Sequence, residues 1–147
     1  MRVLVLGATG LLGSVVFHVL SEKIEWQVFG TLRTEESKKL FDPRLYLNLV
    51  VGINVLDQVD LVKVFEQTKP DVVINCISLA KPLLSLGDPL DLIPIFALLP
   101  HLLANLCRLA GSRLVHISTD GVFSGTKGQY IEDDNPDARD VYGLSKL

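Results

Sequence analysis

Short unbroken runs of hydrophobic residues alternate along this chain with segments in which hydrophobic residues recur at helical spacing. Residues 3–6 form one such run and end at Gly7, which is typical of a strand buried on both faces of a sheet. Residues 11–20 instead place apolar side chains three and four positions apart, as in a helix packed along one side. The pattern predicts five strands, within the segments RVLVL, WQVFGTL, LYLNLVV, DVVINCIS and RLVHIST.

The segments between these runs predict the helices. TEESKKLF is expected to form a short polar helix with Thr34 as its N-cap. LDQVDLVKVFEQTKP predicts an amphipathic helix with Val59, Val62 and Phe65 on one face. Residues 120–140 are rich in Gly, Asp and Pro, and so predict a long loop with a functional role.

The longest predicted helix lies within DPLDLIPIFALLPHLLANLCRLAG and ends at Gly111. Pro94 and Pro100 inside it favour a late start or a kink. From residue 93 to residue 109 the segment is apolar over most of its circumference, so the sheet alone would not cover it. The predicted face consists of Leu98, Leu102, Leu106 and Leu109, extended sideways by Phe96, Leu99 and Leu103.

Apolar strands that alternate with helices predict a parallel sheet covered on both sides. Because crossovers between parallel strands are right-handed, the natural topology is a doubly wound α/β sheet of order 3-2-1-4-5. A sheet of this order is typical of the NAD(P)-binding Rossmann fold, which is the predicted fold class, and the 147 residues correspond to one domain.

The glycines of LGATGLLG mark a candidate dinucleotide site. Gly7, Gly10 and Gly13 lie between the first predicted strand and the first predicted helix, where a tight turn lets the backbone approach a pyrophosphate. The alternative is a strand-to-helix turn without a ligand, which the position in an alternating β/α chain makes the weaker interpretation. The spacing G-x-x-G-x-x-G resembles that of the extended short-chain dehydrogenases/reductases.

The end of the second strand determines which ribose is recognised. A carboxylate there would bind a ribose 2′-hydroxyl, whereas an arginine would accept a 2′-phosphate. Arg33 is the best-placed residue, since the nearest acids come later, in the next helix. The sequence therefore favours NADP(H) over NAD(H), the alternative being a solvated surface arginine.

Tyr142 and Lys146 lie four positions apart, so a helix would place both on one face. Free tyrosine titrates near pH 10, but a neighbouring ammonium stabilises the phenolate and makes proton transfer at neutral pH feasible. A hydroxyl beside a reacting carbonyl would share its developing negative charge. Ser118 and Thr119 supply hydroxyls at the carboxyl end of the fifth strand, where open α/β sheets bind ligands.

Together, LGATGLLG, KPDVVINC and HISTDGVFSGTKGQYIEDDNPDARDVYGLSKL resemble the dTDP-4-dehydrorhamnose reductase family of extended short-chain reductases. The resemblance covers the whole chain but only the N-terminal half of such an enzyme. It implies the catalytic residues Thr119, Tyr142 and Lys146, and the substrate-contacting residues Ser118, Thr119 and Asp120. The implied cofactor residues are Gly7, Thr9, Gly10, Leu11, Leu12, Gly13, Arg33, Asn54, Val55, Cys76, Ile77 and Ser78.

The chain departs from the family pattern at three places. Gly121 replaces a tyrosine, Phe96 replaces an asparagine, and LAKPLLSLGDP lacks the usual Ala-Val-Asp-x-Ala-Glu pattern. These departures leave the substrate more open than the cofactor. The resemblance implies an NADP(H)-dependent reductase of a nucleotide-linked 4-keto sugar. The alternatives are an epimerase or dehydratase of the same branch, or a non-catalytic regulatory subunit like that of methionine adenosyltransferase.

Composition narrows the remaining possibilities. A formal net charge of −3 without runs of Lys or Arg disfavours nucleic-acid and membrane partners. Cys76 and Cys107 are expected to be buried thiols of a reducing compartment, and no metal site is predicted. The glycine punctuation of the N-terminal segment argues against a signal peptide, so a cytoplasmic location is expected.

Two expectations concern the whole protein. The long apolar helix and the helix beginning at Tyr142 are hypothesised to pair with a second copy in a homodimer. The chain is expected to be a fragment without reductase activity of its own, since a helix starting near Val141 has about two turns by Leu147.

Overall fold

The computed structural model describes residues 1–79 and 88–147. The five parallel strands form one sheet of order β3-β2-β1-β4-β5, which confirms the predicted doubly wound topology. Strand β1 lies at the centre, where Val3 pairs with Val28 of β2 on one side and Val72 of β4 on the other. The strands are β1 (Arg2–Leu6), β2 (Gln27–Leu32), β3 (Leu49–Val51), β4 (Val72–Asn75) and β5 (Arg113–His116).

Helices cover both faces of the sheet. Along β1, Leu4 and Leu6 pack against one helical layer, whereas Val3 and Val5 pack with Phe17 of α1 on the other face. The described helices are α1 (Leu11–Ser21), α2 (Gln58–Thr68), α3 (Pro89–Ile93), a π segment (Pro94–Leu98), α4 (Leu99–Ala110) and α5 (Val141–Lys146), with 3₁₀ helices at Glu35–Leu40, Pro43–Asn48 and Asp120–Val122.

The predicted third strand is longer than the strand in the structure. The third strand covers only Leu49–Val51, because Pro43–Asn48 winds into a 3₁₀ helix whose first turn is capped by the Asp42 carboxylate. The short polar helix predicted after β2 is present, as the 3₁₀ helix Glu35–Leu40. Its Thr34 occupies the N-cap position, but its hydroxyl bonds the Ser37 hydroxyl instead of a backbone N–H.

The predicted face of α2 is wrong. Leu61, Val64 and Phe65 pack into the core, whereas Val59 is 74% exposed and Val62 is 43% exposed. The buried residues follow the spacing i, i+3, i+4 and i+7, which ends at the fully buried Thr68. Of the three predicted residues, only Phe65 belongs to this stripe.

The helical stretch before β5 starts earlier than its prolines suggest. It begins at Pro89, where the Asp88 carboxylate accepts from the Leu90 N–H, and continues to Ala110. Between Pro94 and Pro100 the helix widens into the π segment, in which the Leu99 N–H donates to the Pro94 carbonyl five residues earlier. A proline removes one helical hydrogen bond, and the wider turn accommodates that loss without ending the helix.

This 22-residue helix is long and apolar enough by composition to cross a bilayer, a test that core helices also pass. Leu92, Leu99 and Leu103 are fully buried within the protein. Leu98 and Leu109, which were predicted to share the main apolar face, are 55% and 75% exposed. The core face is therefore the one that Phe96, Leu99 and Leu103 occupy. The LAKPLLSLGDP departure lies largely outside the described residues.

Candidate cofactor and catalytic site

A cavity of about 730 Å³ opens at the carboxyl ends of the strands. All of the predicted cofactor residues except Gly13 line it, together with Ser118 and the trio Thr119, Tyr142 and Lys146. Asp120, predicted to contact the substrate, does not line it. The lining residues that the sequence did not single out are Thr31, Leu32, Ile53, Leu56, Leu79, Ile95 and Ile117.

The glycine turn brings the start of α1 against the end of β1. Gly7 has a φ of +81°, a conformation that side chains strongly disfavour, and its carbonyl accepts from the Gly10 N–H at 3.0 Å. A Cβ on Gly13 would lie 2.1 Å from that same carbonyl oxygen. Gly13 thus shapes the cavity from behind, by permitting helix and strand to approach, rather than by lining it.

The N-terminus of α1 is open to the cavity. Gly10 provides no side-chain cap, and the first turn contains no acidic residue, whereas α2, α3 and α5 are each capped by an aspartate. The first N–H groups of a helix have no partner within it, and the helix dipole adds partial positive charge there. This end of the cavity therefore fits the negative oxygens of a pyrophosphate.

Two cationic side chains, Arg33 and Lys146, and no carboxylate line the described cavity. Arg33 follows directly on β2 and is exposed. Beside it, the Thr31 hydroxyl accepts from the Gly7 N–H at 3.2 Å and so ties β2 to the glycine turn. An arginine side chain, which can donate hydrogen bonds to a phosphate, thus lines the cavity directly after β2, where the sequence predicts recognition of the ribose.

Asn54 and Val55 line the side of the cavity that follows β3. The Asn54 carboxamide oxygen accepts from the Leu56 N–H at 3.1 Å, and the backbone N–H of Asn54 donates to the Asp60 carboxylate of α2 at 2.9 Å. Val55 packs against the core with Ile77. The wall there is apolar, with a fixed loop backbone, which suits a flat heteroaromatic ring.

The carboxyl ends of β4 and β5 are joined by their side chains. The Asn75 carboxamide oxygen accepts from the Ile77 N–H at 3.1 Å, so its NH₂ group faces His116 Nδ1, also at 3.1 Å. His116 Nδ1 is then the acceptor, which requires a neutral ring with its proton on Nε2. Burial, and secondarily the Lys146 charge, lower the pKa of His116, which favours that neutral ring.

The two cysteines occupy different environments. Cys76 is 8% exposed and lines the cavity, whereas Cys107 is 2% exposed and belongs to the core under α4. Burial raises the pKa of both thiols, so neither is an activated nucleophile. In the described part of the chain, no three His, Cys, Asp or Glu side chains gather as a metal site would require.

The Thr119 hydroxyl is held by its neighbours. It accepts from the Gly121 N–H at 3.1 Å and donates to the Asp120 carboxylate at 3.3 Å. Asp120 thus orients the Thr119 hydroxyl from outside the cavity. A Cβ on Gly121 would lie 3.2 Å from Cε1 of Tyr142 and 3.4 Å from the Thr119 hydroxyl oxygen, so the missing side chain leaves room between the two.

Helix α5 holds Tyr142 and Lys146 at the cavity. The Asp140 carboxylate caps its first turn by accepting from the Gly143 N–H at 2.8 Å. A Cβ on Gly143 would lie 2.4 Å from the Gly121 carbonyl oxygen, so only glycine allows α5 to pack this closely on the loop after β5. The Asp140 cap and the close packing at Gly143 thus fix the position of Tyr142, which lies between these two residues in the sequence.

Lys146 is half-buried and lacks an ion pair in the described residues. Its Nζ donates to the Ile117 carbonyl at 2.7 Å and lies 5.3 Å from the centre of the Phe96 ring. Burial lowers the pKa of Lys146. The ammonium is therefore contacted by the backbone carbonyl of the residue directly after β5 and by an aromatic ring, neither of which the sequence motifs revealed.

The family profile described as "RmlD substrate binding domain" matches residues 1–147. The chain belongs to the RmlD family of extended short-chain dehydrogenases/reductases. Similarity to a solved family structure supports this: the Bacillus anthracis dTDP-4-dehydrorhamnose reductase, solved in complex with NADP, is 27% identical with a TM-score of 0.76. The match covers 99% of this chain and 46% of that one.

Two relatives with different functions share the same sequence identity with this RmlD-family chain. Methionine adenosyltransferase 2 subunit beta of Xenopus tropicalis is 34% identical, over 99% of this chain and 40% of its own length. The probable low-salt glycan biosynthesis reductase Agl14 of Haloferax volcanii is also 34% identical, over 100% of this chain and 47% of its own length. The chain thus spans less than half the length of either relative.

Proposed function

We propose that residues 1–147 form the cofactor-binding and proton-donating part of an NADP(H)-dependent reductase that acts on a nucleotide-linked 4-keto sugar. The observation that carries the proposal is the presence of Thr119, Tyr142 and Lys146 on the same cavity as the glycine turn. A motif of either kind alone is common, but a shared cavity gives both a role in one reaction.

The residues have distinct tasks in this proposal. The α1 N-terminus binds the pyrophosphate, and the apolar wall at Val55 and Ile77 receives the adenine. When bound, NADPH supplies a hydride to the carbonyl carbon of the sugar. The Tyr142 hydroxyl donates the proton to the carbonyl oxygen, and the Thr119 hydroxyl orients that oxygen. Lys146 stabilises the phenolate that remains.

A preference for NADPH is part of the proposal. Arg33 lines the cavity directly after β2 and would bind the 2′-phosphate of that cofactor. The described lining residues include no carboxylate that would repel this phosphate. The Bacillus anthracis relative in complex with NADP supports the same choice.

A second candidate is a non-catalytic regulatory subunit. It is favoured by the 34% identity to methionine adenosyltransferase 2 subunit beta and by the departures at Phe96 and Gly121. Such a subunit would use the same cavity to bind a dinucleotide, without requiring proton transfer from Tyr142.

Two measurements separate these functions. NADPH binding to residues 1–147 is titrated by calorimetry, and consumption of reduced nicotinamide with dTDP-4-keto-6-deoxy sugars is followed with the product of the whole reading frame. Turnover that is lost in Tyr142→Phe, with NADPH binding kept, supports the reductase. Binding without turnover of any sugar supports the regulatory subunit, and absence of binding would overturn both.

A further inference from the structure

We propose that Phe96 is a positioning residue for the tyrosine–lysine pair: its ring packs against the Tyr142 ring in a T-shaped contact and presents its face to the Lys146 ammonium. The inference deepens the proposed function and rests on it for the roles of Tyr142 and Lys146. It assigns a task to a residue at which the chain departs from the family pattern.

The Phe96 ring contacts both members of the pair. Its centre lies 5.1 Å from the centre of the Tyr142 ring, and the two planes meet at 84°, the T-shaped arrangement that aromatic pairs favour. The Lys146 Nζ lies 5.3 Å from the same ring centre, within the range of a cation–π interaction. One buried side chain, 3% exposed, thus contacts the proton donor and its neighbouring cation.

The ammonium needs such a contact. Lys146 is half-buried, and in the part of the chain that the structure describes it pairs with no carboxylate. Among residues 1–79 and 88–147, the Ile117 carbonyl is the one acceptor to which it donates. An ammonium has three donors and loses hydration on burial, so the negative face of an aromatic ring offsets part of that loss.

The backbone around Phe96 holds the ring in place. Phe96 belongs to the π segment between Pro94 and Pro100, and π-turns are frequent at functional sites. Behind it, the fully buried Leu92 packs in the same apolar cluster, which Tyr142 also joins. The π segment and the apolar cluster therefore hold the Phe96 ring in place, and its contact with Tyr142 in turn positions α5.

The test compares three variants with the parent chain by NMR titration of the Lys146 side chain. The Lys146 signal is assigned by its loss in Lys146→Arg. Phe96→Leu keeps the apolar filling but removes the ring, and Phe96→Tyr keeps a ring. Leu92→Ala weakens the same cluster without touching the lysine. NADPH affinity is measured on each sample by calorimetry.

Phe96→Leu is expected to lower the Lys146 titration midpoint by about half a pH unit, since a cation–π contact favours the charged form. Phe96→Tyr should keep the original midpoint, and Leu92→Ala should lower thermal stability while leaving the midpoint unchanged. An unchanged midpoint in Phe96→Leu, or an equal shift in Leu92→Ala, would overturn the inference. Failure of every variant and the parent chain to bind NADPH would count against the proposed function instead, while the titration still decides the role of Phe96.

Discussion

Arg33 and Lys146 give the cavity its positive charge, but the two side chains do so in different settings. Arg33 is exposed and free to reorient toward a ligand, whereas Lys146 is half-buried and fixed by the Ile117 carbonyl. A solvated arginine contributes mainly when an anion binds, because a charge-assisted hydrogen bond then replaces water. The effect of Arg33 should therefore be visible in cofactor affinity and not in stability.

Replacing Arg33 by alanine is expected to weaken NADPH binding roughly 10- to 100-fold, the value of one or two hydrogen bonds between charged groups. NADH, which lacks the 2′-phosphate, should bind with unchanged affinity. Calorimetric titration of both cofactors measures the difference. Lys39→Ala, an exposed cation in the following 3₁₀ helix, is the matched control and should alter neither affinity. Equal losses for both cofactors in Arg33→Ala would remove Arg33 from the phosphate position.

Gly13 offers a test of packing at a single atom. In most helices, replacing an interior glycine by alanine gains about 1 kcal/mol of stability. At Gly13 the new Cβ would lie 2.1 Å from the Gly7 carbonyl oxygen, and because backbone atoms must shift, the cost should lie toward the upper end of the usual range of about 1–3 kcal/mol and so exceed that gain. Calorimetry should show a lower Tm for Gly13→Ala. Gly10→Ala, whose Cβ would lie 3.4 Å from the same oxygen, should change Tm little, and equal values for the two variants would contradict the packing argument.

Sequence motifs identified the candidate site residues whose backbone shapes the cavity or whose side chains would take part in the reaction. They missed residues that only hold such a residue in position. Glycine spacing located the turn because few other residues permit it, as Gly7 shows. Nothing in the sequence marked Thr31, whose hydroxyl holds that turn from the adjacent strand. The sequence marked Phe96 as part of an apolar helix and as a departure from the family pattern, but not as a site residue, since its contacts with Tyr142 and Lys146 depend on how α5 packs.

At the scale of elements, strands and crossovers were predictable because their apolar runs are buried on both faces. The predictions failed where the local sequence is compatible with two different backbone conformations. Pro43 and the Asp42 cap shorten β3 in favour of a 3₁₀ helix, and the π segment lets a helix pass two prolines. The face of α2 was wrong because its apolar residues occupy more than one side, and only packing selects Leu61 and Val64.

The loop between β5 and α5 should respond to acid. Its Asp137 accepts from the Ser124 hydroxyl and N–H, and Asp134 accepts from the Lys127 side chain and the Ile131 N–H. These bonds hold the pKa of both carboxyls below the ordinary value. The folded loop therefore gains stability above the unfolded pKa of about 4 and loses it as the pH falls through the lowered values.

Acid titration followed by NMR is expected to move the Ser124 and Ile131 amide signals below pH 4, as their carboxylate acceptors become protonated. Asp137→Asn should abolish the acid response at Ser124 while leaving that at Ile131. Asp133→Asn changes a neighbouring exposed carboxyl as a control and should leave both responses intact. A Ser124 response that persists in Asp137→Asn would mean that another group is titrating.

At the scale of the whole molecule, one helical surface remains without cover among the described residues. Leu98 is 55% exposed in the π segment, and Leu144 is 54% exposed on α5, which packs beside that segment. Leu109, further along α4, is 75% exposed. Exposed apolar side chains on neighbouring helices favour a protein partner, and we propose that this partner is a second copy of the chain.

Light scattering at micromolar concentration is expected to give the mass of a dimer. Leu98→Glu combined with Leu144→Glu should give a monomer, because association would bury two carboxylates per subunit in an apolar interface. Leu47→Glu introduces the same charge at a residue that is 96% exposed in the 3₁₀ helix before β3, and should leave the mass unchanged. A monomeric parent chain would contradict the hypothesis.

The alkylation rates of the two buried thiols can report separately on occupancy of the cavity and on opening of the core. Cys76 lines the cavity, so an alkylating reagent can reach it when no ligand is bound. Cys107 lies in the core, so the reagent reaches it only when the packing around α4 opens. Mass spectrometry of iodoacetamide-treated protein should therefore show two rates, of which NADPH slows only that of Cys76. Because Cys107 reports unfolding in the same sample, slower modification at Cys76 alone measures occupancy of the cavity, and slower modification at both measures stabilisation of the fold.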